Sequence, residues 1–190
     1  MAAVANSYLC DRDNSVLVVV DIQTRLTAAM PAKVLARLQR YTTLLLRAAA
    51  TLDIPVYVTE QYPQGLGRIE GEIEKLLPSA TRRYEKTCFS CSGADNFISD
   101  LASSGRKQVL LTGMETHVCI LQSAIDLLNL GYQVVVVSEA VCSRHRESYE
   151  SALRRMLQAG AVIANSESVV FEWLRDAGNE HFKTLQSLLK

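Results

Sequence analysis

The sequence predicts a single-domain α/β protein, a three-layer α/β/α arrangement around a central, mostly parallel six-stranded sheet of Rossmann-like type. Three observations predict it. Short apolar runs, SVLVVV from 15, QVLLT from 108 and QVVVV from 133, lack the alternation of a half-exposed strand. They read instead as strands covered on both faces, as parallel sheets require. Between such runs, apolar residues recur at three- and four-residue spacing, the signature of a helix with one buried face. No linker, repeat or low-complexity segment interrupts the alternation, so residues 1–190 form one domain with enough chain for a full core.

Taken in order, an N-terminal arm precedes the strand SVLVVV, which ends in Asp21. Pro31 opens a helix near its first position, and Val34 to Leu52 carries the helical pattern. Ile54 to Glu60 is the second strand, with Pro55 tolerated at its start, and Gln61 to Gly67 is a turn-rich loop. A short helix through Glu72 to Leu77 stops at Pro78, and Arg82 to Lys86 is a short third strand. Asn96 to Leu101 lies in a helix that Gly105 ends. Gln108 to Thr112 is the next strand, and from Val118 the residues Val118, Leu121, Ile125 and Leu128 mark a helix closed by Gly131. Gln133 to Val137 is the fifth strand. Glu147 to Gln158 is a helix with Leu153, Met156 and Leu157 on one face, and Ala161 to Ala164 is the last strand. Ser166 is the expected N-cap of a helix over Ser168 to Arg175, and Phe182 to Leu189 closes the chain.

Lys plus Arg and Asp plus Glu are equal at 20 each. Neutrality removes the broad basic footprint of a nucleic-acid binder and of a polybasic membrane patch, and it leaves little repulsion against a homo-oligomer, dimer or larger. No apolar run is long enough to span a membrane, and the N-terminus lacks the basic and apolar regions of a signal peptide. The odd count of five cysteines argues against a disulfide framework and for a reducing, cytoplasmic setting. Cys88 and Cys91 form a CxxC, open to a thiol-redox role, but no second ligand pair makes it a zinc knuckle.

Polar residues at three strand ends carry the chemistry. Asp21 follows the first strand directly, Lys86 ends the third, and the segment GMETHVC delivers Cys119 to the start of the helix after the fourth. A thiol there feels the positive end of the helix dipole, and a nearby ammonium would lower its pKa further, so a thiolate is expected. From three βα junctions these side chains make a nucleophilic site at the carboxyl edge of the sheet, where open parallel sheets bind ligands. Asp21 would take and return the thiol proton, Lys86 would orient the pair, and Cys119 would attack a carbonyl carbon. Backbone N–H groups at the helix start would receive the oxyanion. Gln23, Gln61, Tyr62 and Phe89 stand where they could line a small pocket, with Tyr62 and Phe89 equally open to plain packing.

These segments, VLVVVDIQ at 16–23, EKTCFS at 85–90 and GMETHVC at 113–119, resemble the isochorismatase-like hydrolases, whose cysteine branch includes nicotinamidases and other small-amide hydrolases. The resemblance covers nearly the whole chain. It implies a catalytic triad of Asp21, Lys86 and Cys119, a cis peptide at Met114–Glu115, and oxyanion donors in the amides of Glu115 and Cys119. Nicotinamidases carry metal-binding histidines after the second strand. Here that stretch, Thr59 to Gly67, reads TEQYPQGLG, so neither a metal nor another cofactor is expected. The segment is most like the isochorismatase domain-containing subgroup. The expected activity is cysteine-dependent hydrolysis of the C–N bond of a small amide through a thioester. A metal-dependent nicotinamidase-type amidase and a catalytically idle oligomeric scaffold of the same fold stand as alternatives.

Overall fold

The computed structural model of the chain describes residues 8–189, and the start of the N-terminal arm lies outside them. Six strands, β1 (Ser15–Val20), β2 (Val56–Gln61), β3 (Arg82–Lys86), β4 (Gln108–Met114), β5 (Gln133–Cys142) and β6 (Val162–Ala164), form one sheet in the order β3-β2-β1-β4-β5-β6. Every ladder is parallel, so the sheet is wholly rather than mostly parallel. Chain order reverses between β1 and β4, and a crevice opens at such a reversal, beyond the carboxyl ends of the strands.

The side-chain alternation of β1 supplies both halves of the core. Val16, Val18 and Val20 face one layer, and Leu17 and Val19 face the other. The first layer holds α5 (Phe97–Ser103), α6 (Leu121–Asn129) and α7 (Arg146–Gln158). The second holds α2 (Ala32–Thr51), α8 (Ser166–Leu174) and α9 (Phe182–Leu188), with Trp173 fully buried under α8. Three single turns, α1 (Thr24–Thr27), α3 (Pro63–Leu66) and α4 (Gly71–Glu74), lie in the connections that follow β1 and β2.

Several boundaries differ from the sequence reading. β5 continues through Ser138 and Glu139 to Cys142, because a register shift at Leu111/Gly113 lets its second half pair again, Gly113 with Val141 and Met114 with Cys142. The helix expected to run to Leu77 ends at Glu74. Leu157 is 59% exposed, and the buried face of α7 is instead Ala152 and Met156. Asn165, not Ser166, caps α8: its side chain accepts the Ser168 N–H at 2.8 Å. Ser166 is buried, and its N–H and hydroxyl both donate to Glu139.

Candidate active site

β1 ends where the backbone turns left-handed. Asp21 has φ of 53°, a region Asp tolerates better than most residues, and the turn is closed by the Gln23 N–H donating to the Asp21 carbonyl at 2.8 Å. Its fully buried carboxylate accepts from Thr59 Oγ1 at 2.7 Å on one oxygen and from Lys86 Nζ at 2.6 Å on the other. Lys86 closes β3 and reaches across β2 to do this. Its ammonium also donates to Gln61 Oε1 at 2.7 Å and to the Phe89 carbonyl at 3.0 Å. Both charged side chains are 0% exposed. Taking two ions out of water costs several kcal/mol each, and mutual attraction offsets this only with good geometry and further hydrogen bonds. The carbonyl, amide and hydroxyl partners supply those bonds.

The third member arrives from β4. Gly113 has φ of 117°, and a Cβ there would lie 2.0 Å from the Val20 carbonyl oxygen. Only glycine lets the end of β4 press against the end of β1. The Met114–Glu115 peptide that follows is cis, as the resemblance implied. The chain then makes a single π-helical turn, Thr116–Ile120, before α6, and Cys119 sits in that wide turn rather than in the first turn of an α-helix. Its thiol is under the influence of the Asp21 carboxylate, by charge and hydrogen bond, and of the Glu115 N–H.

Burial works against the expected thiolate. Cys119 is 5% exposed, and burial pushes its thiol up to about 12. The Asp21 charge contributes to that rise and Lys86 opposes it. The physical reason lies in the ion pair: the ammonium that would favour a thiolate is held against Asp21, and desolvation penalises the charged sulfur more than the short turn favours it.

Polar contacts from the residues just after β5 hold the loop that leads to Cys119 in place. The Arg144 N–H and Nε both donate to Glu115 Oε2, at 3.1 and 3.0 Å, and His117 Nδ1 lies 3.0 Å from Ser143 Oγ. Neither these contacts nor Thr59 figured in the sequence reading. Register would have revealed Thr59, which is the β2 partner of Val20, just as Gln61 is the β2 partner of Lys86.

Of the four residues expected to line a pocket, Gln23 and Gln61 turn their amides inward. Gln23 donates to the carbonyls of Gln61 and Gly67 and accepts the Gln61 N–H, while Gln61 holds Lys86 and the Thr87 carbonyl. Tyr62 and Phe89 are 55% and 51% exposed, beside the strand ends that supply Gln61 and Lys86. In the CxxC, Cys88 is exposed and Cys91 buried; both are free, and burial pushes the Cys91 thiol up to about 12, against the low pKa that redox attack needs.

Near the end of β2 the acid on offer for a metal is Glu60, and its oxygens are already committed to the Ile69 N–H and Arg68, both at 2.7 Å. The residues there do not fit the metal centre of the nicotinamidases. Among the described residues, no group of three or more His, Cys, Asp or Glu is placed to hold an ion.

Known proteins share both the sequence and the fold. The isochorismatase domain matches residues 15–168. The mouse isochorismatase domain-containing protein 2A is 42% identical over 146 residues, covering 77% of this chain and 69% of its own. The secreted isochorismatase effector Isc1 of Phytophthora sojae (strain P6497) is 39% identical over 185 residues, covering 93% and 85%. A solved structure described as a MAR1 ribonuclease from Caenorhabditis elegans has a TM-score of 0.88 at 32% identity, covering 95% of this chain and 92% of that one. The chain belongs to the isochorismatase family.

Proposed function

We propose that the protein is a cysteine-dependent hydrolase that cleaves the C–N bond of a small amide, with Asp21, Lys86 and Cys119 as its catalytic residues. The observation that carries this is the 2.6 Å Lys86–Asp21 pair, wholly buried, with its carboxylate also set against the Cys119 thiol. A buried ion pair is poor value as a structural brace, and a strongly perturbed titratable group beside one marks a functional site.

With Cys119 resting as a thiol, the reaction begins by proton transfer from sulfur to Asp21 as sulfur attacks the carbonyl carbon. The S–C bond forms, and the carbonyl oxygen becomes an oxyanion held by the N–H groups of Glu115 and Cys119. Collapse breaks the C–N bond. Asp21 returns the proton to nitrogen, and the amine or ammonia leaves a thioester on Cys119. Water then attacks the thioester and gives a proton to Asp21, which passes it to the departing sulfur; the acid is released and the thiol restored. Lys86 stays protonated throughout and compensates the Asp21 charge. Gln61 and Thr59 keep that pair in place, and Gln23 in turn fixes Gln61. Tyr62 and Phe89 at the rim contact the substrate.

Five free cysteines support a reducing, cytoplasmic setting, although one relative is named as secreted. Equal numbers of acidic and basic residues favour a small molecule over RNA. The test is ammonia release from a panel of small primary amides by the purified protein, with RNA cleavage measured in parallel. Amide turnover that vanishes in Cys119→Ser, with hydroxylamine trapping an acyl group on Cys119, is the expected result. RNA cleavage without amide turnover, or amide turnover that survives Cys119→Ser, would overturn it.

A further inference from the structure

Beside the nucleophile loop, where β5 ends and α2 begins, lies a cleft of about 520 Å³ lined by three arginines, Arg37, Arg144 and Arg146, with Ser143, Tyr149 and Glu150. The three guanidiniums are not equally matched. Arg144 and Arg146 each meet one carboxylate through Nε, Glu115 at 3.0 Å and Glu150 at 2.6 Å. Their terminal Nη groups make no hydrogen bond within the described residues, and the two side chains are 53% and 86% exposed. Arg37 is half-buried and, among the described residues, in no ion pair at all. One terminal nitrogen donates to the Val141 carbonyl at 2.9 Å, and the guanidinium lies over the Tyr149 ring at 5.2 Å from its centroid. Its Nε is buried without an acceptor.

A guanidinium held this firmly, desolvated on one side and lacking a counter-ion, is a preorganised anion receptor rather than a solvated surface charge. The start of α2 adds to the same field. Its 20 residues carry no acidic side chain in the first turn and no side-chain cap, and Pro31 and Val34 form part of the cleft wall.

The geometry points to a binding site in this cleft for the anionic group of a small molecule, a carboxylate or a phosphate, gripped by Arg37, Arg144 and Arg146. Tyr149 and Ser143 complete the wall with hydroxyls already engaged, by the Ser138 carbonyl at 2.8 Å and by His117 Nδ1 at 3.0 Å, so the grip falls to the arginines; the site shares Arg144 and Ser143 with the contacts that hold Glu115 and His117. It does not depend on the amide chemistry proposed above, because it requires only that an anion bind.

The test is calorimetric titration of the full chain with succinate and, separately, with inorganic phosphate, chloride being used to hold ionic strength constant. Saturable binding of at least one is expected, and the tighter of the two identifies the group the cleft takes. Losing one charge-assisted fork should raise Kd about tenfold in Arg146→Ala, whose side chain is 86% exposed. Arg37→Met should weaken binding at least as much. Succinamide, which has no charge, should not bind. Absence of saturable binding by either anion, or a Kd unchanged in both variants, would overturn the proposal.

Discussion

The two ends of the sheet are both polar and both buried, yet they are built on opposite terms. At the amino end, Ser15 is the hub: its hydroxyl contacts Gln108 Oε1 at 2.8 Å and the Asp11 carbonyl at 2.6 Å, and it accepts the Trp173 indole N–H at 3.0 Å. Gln108 ties in the arm by accepting the Asp11 N–H and donating to the Leu9 carbonyl. All these side chains are neutral, and together they stitch the N-terminal arm and α8 to the sheet. At the carboxyl end the buried groups include a carboxylate, an ammonium and a thiol beside the neutral Thr59, Gln23 and Gln61. Neutral, satisfied polarity is enough to hold elements together. Charge buried where neutral groups would serve at lower cost calls for a chemical explanation.

Substitutions at the two ends should separate these roles. The largest effect belongs to Cys119→Ser, which should lower amide turnover by about a thousandfold or more while the melting temperature stays close to that of the parent. Next comes Lys86→Met, which strands Asp21 as an unpaired buried charge and should cost about 3–5 kcal/mol in urea unfolding, with turnover lost as well. Ser15→Ala should cost about 1–3 kcal/mol, because the Trp173 N–H loses its acceptor, and leave turnover untouched. A loss of activity there would erase the distinction between the two ends. Smallest is Asn165→Ala, worth about 1 kcal/mol for a lost cap, again without effect on turnover.

Alkaline pH probes both ends at once. Burial raises the thiols of Cys91, Cys119 and Cys142 from 9.0 to about 12, and that of Cys10 in the same direction. In the unfolded chain these protons leave first, so the unfolded state binds fewer protons and stability falls as pH rises from about 9 towards 12. Urea midpoints measured across that range should decline steadily. A flat profile would mean that the thiols are more hydrated than the packing indicates.

The legible parts of the sequence were those where one kind of residue dominates. β1 and β4 are continuous apolar runs because helices cover both faces, and Asp21 and Cys119 stand out as the polar residues that end or follow them. β5 was read only to Val137, because Ser138 and Glu139 break the apolar run and the bulge that restores pairing is a property of two strands together. The support around Lys86 was hidden for a related reason. Thr59 and Gln61 sit on β2, between the strands that carry Asp21 and Lys86, and strand order is not written in local pattern. The desolvation that raises the Cys119 thiol is hidden for another reason: a position near a helix start is visible in sequence, whereas burial is not.

The most direct measurement follows iodoacetamide labelling of Cys119 at neutral pH by peptide mass mapping, in the parent protein and in Asp21→Asn. Cys91 and Cys142 serve as internal references, buried thiols of similarly raised pKa; Cys91 also feels the Lys86 and Asp21 charges, so Cys142 is the one independent of that pair. If Asp21 draws the proton from Cys119 as sulfur attacks, Cys119 should label well ahead of both references in the parent and fall back to their rate in Asp21→Asn. Labelling of Cys119 no faster than Cys91 and Cys142, or unaffected by Asp21→Asn, would contradict a nucleophile activated by that carboxylate.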